Sequence, residues 1–268
     1  MKIYDFYTPI EKGLLKDVPM AIAIGVFDGV HLGHREIFSR LAGYASSHEG
    51  VRTMVMTFAT NPKVEGSRAL DTMRLRTRYI SSFGIDYVVV IDFSRDFSKM
   101  SGREFIRLLC TMCRVKAVIV GEDFRCGSPS DQITAGELSG TFAGFGVGVD
   151  ALVIPPVEDA CHRRISSTHI RALVSQGDLD TVRELSGQPY QYDLLENRFV
   201  RTAAGYRTRV VTGQRLPADG SYRASVVLLD GREVEASLII DRDGLLIVPR
   251  SGIDLVKADS LRIFSKEN

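Results

Sequence analysis

The chain has 268 residues, of which 44% are apolar and 25% are charged, and its formal net charge is +1. This composition is typical of a globular protein, and the length suffices for one large domain or two smaller ones with a self-supporting core. Near neutrality argues against a surface devoted to nucleic acid or anionic membranes. With no signal-like N-terminus and no apolar run of transmembrane length, we expect a soluble, cytoplasmic protein.

The first part of the chain, up to about residue 155, alternates short apolar runs with amphipathic segments. The runs cover residues 20–27, 51–58, 86–93, 116–124 and 149–156. Runs that are almost continuously apolar are typical of strands buried on both faces of a parallel sheet. Strict alternation of strand and helix predicts an α/β fold with a doubly wound, Rossmann-like sheet, which binds ligands at the edge where its strands end.

Two of the amphipathic segments carry clear helix signals. Residues 34–50 have apolar side chains at helical spacing, and Gly50 is the expected C-terminal stop. Ser101 stands three residues before Glu104, which is the spacing of a capping box. Nearby, Cys110 and Cys113 form a Cys-x-x-Cys motif, but no second pair and no nearby histidine accompanies it. We therefore expect reduced thiols rather than a zinc site or redox chemistry.

The pattern changes in the last third of the chain. Residues 165–187 predict two short helices, the second capped by Asp178. Short strand-like runs separated by turn signals follow, including the hairpin pair Asp230-Gly231. We predict a nucleotide-binding domain over residues 1–188 and a small, barrel-like antiparallel β-domain over residues 189–268.

The stretch GVFDGVHLGH lies where the first buried strand meets a helix. It contains three glycines and two histidines, Gly25, Gly29, Gly33, His31 and His34. The glycines permit positive φ or close approach of a ligand, and a helix N-terminus favours phosphate. The histidines add side-chain donors. We interpret the stretch as a polyphosphate cradle, although it is neither a G-x-G-x-x-G nor a Walker loop. The alternative is that the histidines only cap the helix and pack against the sheet edge.

This stretch resembles the G-x-F-D-G-x-H-x-G-H signature of the bacterial FAD synthetases, the FMN adenylyltransferase half of the bifunctional riboflavin kinase/FAD synthetases. That half belongs to the HxGH nucleotidyltransferase superfamily. Three further segments are similar to family motifs and follow in the family's order: TFATNP (57–62), VGEDFRCG (120–127) and RISSTHIR (164–171). The resemblance covers about residues 20–190.

The resemblance implies a site that takes FMN and ATP with Mg²⁺ and releases FAD and pyrophosphate. It implies that the catalytic residues are His31, His34, Arg164, Ser167 and Thr168. The implied ATP-binding residues are Gly25, Phe27, Asp28, Gly29, Gly33, Ser166 and Arg171. The implied FMN-binding residues are Asn61, Asp123, Phe124 and Arg125. The ligands of the metal ion are not identified by the sequence.

Simpler roles remain open for several of these residues. The hydroxyl groups of residues 166–168 stand at a helix start, where they can serve as caps. Phe124 can be ordinary core, Asp28 can fix the turn through its own backbone, and Arg163 and Arg164 can form an exposed basic loop. The second motif also departs from the family, because Thr60 and Asn61 replace the common proline and histidine. Cys126 replaces a phenylalanine, which we interpret as a packing change.

The β-domain differs from the riboflavin kinase domain of the bifunctional members. That domain is marked by a G-F-P-T-A-N-like segment, whereas here only PADGS (217–221) separates the corresponding strand-like runs. We therefore expect a shortened, degenerate kinase-like domain. The sequence predicts a monomeric FMN adenylyltransferase without riboflavin kinase activity. The alternatives are another HxGH nucleotidyltransferase and a non-catalytic flavin or nucleotide sensor.

Overall fold

The chain folds into two compact units. The computed structural model describes residues 1–59, 68–92, 97 and 99–267. The first unit comprises Met1–Glu65 and Thr77–Glu158, and the second comprises Gly66–Arg76 and Asp159–Asn268. The second unit therefore includes a short segment from the first third of the sequence.

A parallel sheet forms the centre of the first unit. The strands of this unit are β1 (Lys2–Asp5), β2 (Pro19–Ile24), β3 (Arg52–Phe58), β4 (Tyr87–Ile91), β5 (Arg114–Gly121), β6 (Arg125–Cys126), β7 (Ile133–Thr134) and β8 (Asp150–Ile154). Within the described ranges, the parallel sheet has six strands in the order β1-β4-β3-β2-β5-β8, and β6 and β7 pair as a separate antiparallel ribbon. All five predicted strands are confirmed, whereas β1 was not predicted.

The helices in this part of the chain are α1 (Thr8–Glu11), α2 (Leu32–Ser47), α3 (Met73–Ser81), α4 (Gly102–Met112) and α5 (Leu138–Ala143). The predicted capping box is confirmed, because the Ser101 hydroxyl accepts from the Glu104 amide and the Glu104 carboxylate accepts from the Ser101 amide. The predicted stop at Gly50 was late: α2 ends at Ser47, and Gly50 lies beyond it with φ of 75°. None of the described helices is long and apolar enough to cross a membrane.

Side chains from β2 enter a separate hydrophobic cluster on each face of the sheet. Met20, Ile22 and Ile24 belong to one cluster, and Ala21 and Ala23 belong to the other. The second cluster also contains apolar residues of α2, for which the small alanines leave room. Burial on both faces explains why the strands are nearly continuous apolar runs.

The strand order creates a switch point beside β2. This strand pairs with β3 on one side and with β5 on the other, and both pairs are parallel. The chain proceeds from β2 to β3 in one direction and later reaches β5 in the other. In sheets of this kind, ligands bind in the crevice beyond the carboxyl ends of the strands at such a switch point. The loops that follow β2 and β5 begin at this crevice.

The second unit contains an antiparallel sheet and the helices that precede it in the chain, together with the start of α3. Its elements are α6 (Ser167–Gln176), α7 (Leu179–Ser186), β9 (Tyr190–Asp193), β10 (Val200–Thr202), β11 (Gly205–Thr208), β12 (Gly220–Leu228), β13 (Glu233–Asp241), β14 (Gly244–Pro249) and β15 (Ala258–Lys266). In the described part of the chain, seven strands follow the order β10-β11-β14-β13-β12-β15-β9. Asp178 caps α7, and the Asp230-Gly231 hairpin joins β12 to β13, as predicted. β9 and β10 were not predicted.

The architecture confirms the predicted class, which is a parallel α/β sheet with helices and an additional small antiparallel β-structure. The closure of the second sheet into a barrel stays a prediction, and so does the domain boundary between residues 188 and 189.

Residues 69–76 are attached to strands and loops of the second unit. The Ala69 carbonyl accepts from the Arg215 amide at 2.7 Å, and the Ala69 amide donates to the Gly213 carbonyl at 3.2 Å. The buried Gln214 side chain donates to the Leu70 carbonyl at 2.7 Å. These bonds extend the hydrogen-bonded structure of the second unit to a segment that is distant in sequence.

A buried ionic cluster fixes the same segment, and we call Thr72, Arg74, Asp193 and Asp259 the Arg74 clamp. The Arg74 guanidinium forms ion pairs with both carboxylates, whose side chains are 7% and 4% exposed. The Thr72 hydroxyl donates to Asp193 at 2.6 Å. Burial of Asp193 opposes its ionisation, but hydrogen bonds from Arg74 and Thr72 outweigh this effect and hold its pKa below the usual range.

Candidate functional site

The loop between β2 and α2 has an unusual backbone. Phe27, Gly29 and Val30 have positive φ angles of 53°, 80° and 26°. Glycine adopts such angles readily, but an aromatic and a β-branched residue rarely do. Strained conformations of this kind cost about 1–3 kcal/mol each and cluster at functional sites. The loop is therefore a candidate for ligand binding on geometric grounds alone.

The two histidines lie together at the start of α2. His31 is the residue that precedes the helix and is 6% exposed, and His34 lies in the first turn. Their rings are stacked, with centroids 3.6 Å apart and an interplanar angle of 21°. The His31 side chain does not hydrogen-bond to the amides of the first turn. This geometry argues against a simple capping role for His31 and places both rings beside the positive end of the helix dipole.

The glycines of the loop make room for aromatic and imidazole rings. A Cβ atom on Gly33 would lie 3.2 Å from the His31 ring, and one on Gly25 would lie 2.9 Å from the Phe27 ring. Phe27 is 1% exposed, and its ring meets the His34 ring edge-on with centroids 5.3 Å apart. The buried Phe27 ring therefore packs against the His34 ring and supports it. Direct contact of Phe27 with ATP stays a prediction, as does the role of Asp28, which is buried in the same loop.

The segment that follows β5 and runs into β6 carries three of the predicted FMN-binding residues. Asp123 and Arg125 are exposed, and Phe124 is half-buried against the core cluster that includes Ile22. The Phe124 amide donates to the Gly121 carbonyl at 3.0 Å and closes a tight turn. The core alternative for Phe124 thus accounts for part of its ring, while Asp123 remains accessible to a ligand.

Backbone contacts anchor the end of this loop to the start of α4. The Gly102 amide donates to the Asp131 carbonyl at 3.0 Å, and the Ser128 amide donates to the Met100 carbonyl at 2.9 Å. Gly127 has φ of 102°, and a Cβ atom there would lie 2.4 Å from the Gly102 nitrogen. The close approach requires glycine, so this part of the family-like segment has a structural reason for its sequence.

The cysteines differ in exposure: Cys113 is buried, Cys110 and Cys126 are half-buried, and Cys161 is exposed. All four are free. Burial raises the pKa of Cys113 and of Cys126 to about 12, which keeps both thiols protonated at neutral pH. No group of three or more histidine, cysteine, aspartate or glutamate side chains within the described ranges is arranged to hold a metal ion.

The RISSTHIR segment begins α6 in the second unit. The Ser166 side chain caps the helix by accepting from the His169 amide at 3.3 Å. Thr168 is exposed and accepts from Arg171 at 3.4 Å, and the Arg171 side chain is largely buried. The capping alternative is thus confirmed for Ser166, whereas Ser167 occupies the first helical position.

A compact loop precedes this helix. The Asp159 carboxylate accepts from the backbone amides of Cys161 and Arg163 at 2.8 and 2.9 Å, and it forms an ion pair with the Arg163 side chain. The bond from the Arg163 amide is the main reason why the pKa of Asp159 is lowered. Arg163 therefore has a structural role in the loop, and Arg164 is the exposed arginine that follows it.

The predicted site residues fall into two groups. Residues 25–34 follow β2, and we call them the histidine loop. The segment with Asp123 follows β5, which is the neighbour of β2, so both lie at one edge of the sheet. Arg164, Ser167, Thr168 and Arg171 lie in the second unit. Asn61 lies outside the described residues. The ligand roles assigned to both groups stay predictions.

The sequence analysis assigned no role to two structurally important residues, although one of them, Thr57, begins the TFATNP motif. Thr57 is completely buried at the end of β3, and its hydroxyl donates to the Val26 carbonyl at 2.8 Å. Asp159 organises the loop before α6. A polar residue at the end of an otherwise apolar strand run was the available signal for Thr57, and an aspartate two residues before a turn amide was the signal for Asp159.

Comparison with known proteins agrees with this geometry. Residues 15–169 match the FAD synthetase family, and the match includes both the histidine loop and the start of α6. This chain belongs to the FAD synthetase family. The matched range ends within α6, so the second sheet lies outside it.

Two proteins of Listeria monocytogenes illustrate the relationships of this FAD synthetase family member. A bifunctional riboflavin kinase/FMN adenylyltransferase is 28% identical over 200 residues, which are 71% of this chain and 60% of the relative. An FAD synthetase is 26% identical over 234 residues, which are 84% of this chain and 88% of the relative. The chain thus spans about 60% of the length of the bifunctional relative.

One solved structure has the same fold over nearly the whole chain. It is described as a macrolide-efflux protein from Streptococcus pneumoniae, and it matches with a TM-score of 0.76 and 23% identity. The match covers 94% of this chain and 98% of that protein. At this identity the likeness establishes the fold alone.

Proposed function

We propose that this protein is an FMN adenylyltransferase that forms FAD and pyrophosphate from FMN and ATP, as a monomer in the cytoplasm. The observation that carries the proposal is the histidine loop. It follows a strand at the switch point of the sheet, has a strained backbone, and stacks two imidazole rings at a helix N-terminus. The match of residues 15–169 to the FAD synthetase family supports the assignment of this reaction to the loop.

The proposed reaction is a single phosphoryl-type displacement. A phosphate oxygen of FMN attacks the α-phosphorus of ATP, the new P–O bond forms, and the bond to the pyrophosphate oxygen breaks. A phosphate monoester with a second pKa of about 6 is largely ionised at neutral pH, so no general base is required. The protein must align the three reacting groups and stabilise the negative charge that develops on the leaving group.

The residues of the histidine loop are suited to bind the pyrophosphate leaving group. His31 and His34 offer ring donors, and the first turn of α2 offers backbone amides that no helical carbonyl satisfies. Gly29 and Gly33 leave the backbone accessible. We propose that both histidines stabilise the negative charge that develops on the triphosphate in the transition state.

The start of α6 supplies a second set of phosphate-binding groups in this proposal. Ser167 and Thr168 present hydroxyl donors, and Arg164 presents a guanidinium that can bind phosphate in a bidentate manner. Because Ser166 is engaged as the helix cap, we assign it to the support of this turn. Arg171 donates to Thr168 and positions its hydroxyl group. These roles rest on the resemblance of the segment to the family motif.

Among the described residues, fewer groups are available to bind FMN than to bind the phosphates of ATP. Asp123 and Arg125 are exposed next to the half-buried Phe124, so one loop offers a carboxylate, a guanidinium and an apolar edge. Asn61 completes the proposed set. Magnesium would be held chiefly by the phosphate oxygens of ATP and by water, as is usual for this ion.

We further propose that the protein lacks riboflavin kinase activity. Support comes from the sequence, in which PADGS (217–221) stands where the kinase domain has its G-F-P-T-A-N-like segment. The second unit does contain a cavity of about 930 Å³ beside β10, β11 and the β13–β14 turn. Arg207 and Asp241 line this cavity, and the Arg207 guanidinium donates hydrogen bonds to the two carboxylate oxygens of Asp241 at 2.8 and 3.1 Å.

The decisive experiment supplies the purified protein with ATP, Mg²⁺ and FMN and follows FAD and pyrophosphate by chromatography. We expect both products in equal amounts. In a parallel reaction, riboflavin replaces FMN, and we expect neither FMN nor FAD. Formation of FMN from riboflavin would show that the second unit is a working kinase.

The same assay separates the remaining alternatives. Pyrophosphate release with a different phosphate-bearing acceptor, and not with FMN, would identify another nucleotidyltransferase. Binding of FMN and ATP without turnover would identify a sensor. A matched variant, His31→Ala, distinguishes turnover at this site from contaminating activity, because the contaminant would be unaffected.

A further inference from the structure

The strained histidine loop needs contacts that fix its conformation. Strained backbone persists only where the surrounding structure determines it. The last paired residues of β2 and β3 are Ile24 and Met56, and the Gly25 amide adds one more bond to the Met56 carbonyl at 3.1 Å. Beyond Gly25, the backbone leaves the sheet and enters the left-handed region at Phe27.

Thr57 extends this attachment one residue further into the loop. Its hydroxyl donates to the Val26 carbonyl at 2.8 Å, and its side chain is completely buried. Val26 immediately precedes the strained Phe27. The bond therefore fixes the orientation of the peptide group that joins Val26 to Phe27, at the point where the chain changes conformation.

The consequences of that orientation reach the histidines through packing. The Phe27 ring is held between Phe38, at a centroid distance of 4.7 Å, and His34, at 5.3 Å. His34 in turn stacks on His31. A rotation of the peptide group after Val26 would move the Phe27 ring and remove its support from the histidine pair.

We infer that Thr57 is a positioning residue, whose hydroxyl sets the geometry of the histidine pair through Val26 and Phe27. The inference rests on the proposed adenylyltransferase function and adds to it a residue that acts through the histidine loop. The competing interpretation is that Thr57 is a buried threonine that only contributes to stability.

Thr53 provides a matched control in the same strand. It is buried at the opposite end of β3, and its hydroxyl bonds Asp86 as donor at 3.0 Å and as acceptor at 2.8 Å. Thr53→Val removes hydrogen bonds from the same kind of environment without touching the histidine loop. It therefore reports the effect of lost stability alone.

The experiment compares Thr57→Val, Thr57→Ser and Thr53→Val by steady-state kinetics and thermal unfolding. Misplacement of catalytic groups by a fraction of an ångström to 1 Å costs up to about a hundredfold in rate, so we expect Thr57→Val to lower kcat about ten- to a hundredfold. We expect KM for FMN to change little, Thr57→Ser to retain most of kcat, and Thr53→Val to lower Tm with kcat unchanged. Should Thr57→Val not fold, Thr57→Ala is compared with Thr57→Ser in its place.

The inference would be overturned by wild-type kcat in Thr57→Val, by equal losses of kcat in the Thr57→Val and Thr53→Val variants, or by failure of serine to restore activity. Hydrogen exchange of a peptide covering residues 25–34 gives a readout that needs no turnover. We expect faster exchange in Thr57→Val than in Thr53→Val, and equal exchange would also overturn the inference. If the wild-type protein forms no FAD, the proposed function fails, and the exchange measurement still decides the role of Thr57.

Discussion

The histidine loop and the Arg74 clamp use polar groups in opposite ways. In the clamp, the guanidinium and the two carboxylates satisfy one another inside the second unit. In the loop, the backbone is strained and the histidines are stacked against each other beside a helix N-terminus. The clamp has the features of a stabilising element, whereas the loop carries strain, which we attribute to its proposed role in ligand binding. Substitutions in the two regions should therefore affect different measurements.

The largest expected effect is on stability. Arg74→Met leaves the buried Asp193 and Asp259 without their cation, and loss of one partner from a buried ion pair costs about 3 kcal/mol or more. We expect that decrease in the free energy of unfolding, measured by urea denaturation. Arg232→Met, which removes an exposed ion pair with Asp230, is the control and should match the wild type. Equal stabilities of the two variants would show that the clamp is not a stabilising element.

The next effect is on turnover. Removal of one preorganised donor from a site of developing charge costs about 10²–10³ in kcat, and we expect this loss for His31→Ala and for His34→Ala, with smaller changes in KM for FMN. His48→Ala, at the far end of the same helix, should leave kcat unchanged. Near-normal turnover of both loop variants would contradict the phosphate-cradle interpretation.

A smaller effect is expected in the loop after β5. Asp123 has no assigned role in charge stabilisation, so Asp123→Ala should raise KM for FMN about tenfold, the value of one hydrogen bond to a charged group, with little loss of kcat. The exposed neighbour Glu122 supplies the control, Glu122→Ala. A large fall in kcat at constant KM would move Asp123 from the binding group to the catalytic group.

The smallest effect is the pH dependence of the clamp. A carboxylate whose pKa is lowered on folding contributes stability that is present above its unfolded pKa, about 4, and is lost as the pH falls through the folded value. In Arg74→Met the part of this contribution that Arg74 supplies is absent at every pH. The stability difference between wild type and variant should therefore be smaller at pH 3 than at pH 7 in urea titrations. A constant difference would mean that the ionisation of Asp193 is not involved.

The sequence predicted the elements whose pattern is local. Strands buried on both faces appear as apolar runs, and the capping box of α4 and the hairpin at Asp230-Gly231 depend on neighbouring residues. β1 and β10 were missed because they are mostly exposed edge strands with few apolar side chains. No periodicity distinguishes such strands from loops.

The candidate site shows the same limit. The histidine pair and the glycines form one continuous stretch, so the sequence alone identified them as a candidate site. The role of Thr57 depends on a carbonyl 31 positions earlier in the sequence, and the partners of Arg74 lie 119 and 185 positions later. Pairing over such distances is determined by the sheet order, which local sequence patterns do not encode.

The discontinuity of the second unit has a consequence for the modular organisation of the molecule. No single cut in the chain separates the two units, because residues 69–76 are bonded to strands and loops encoded more than a hundred codons later. Cleavage after residue 188 would deprive Leu70 of Gln214 and Arg74 of both carboxylates. On our proposal that the kinase reaction is absent, these bonds would by themselves maintain the second unit under selection, because a segment from the first third of the chain is held by them.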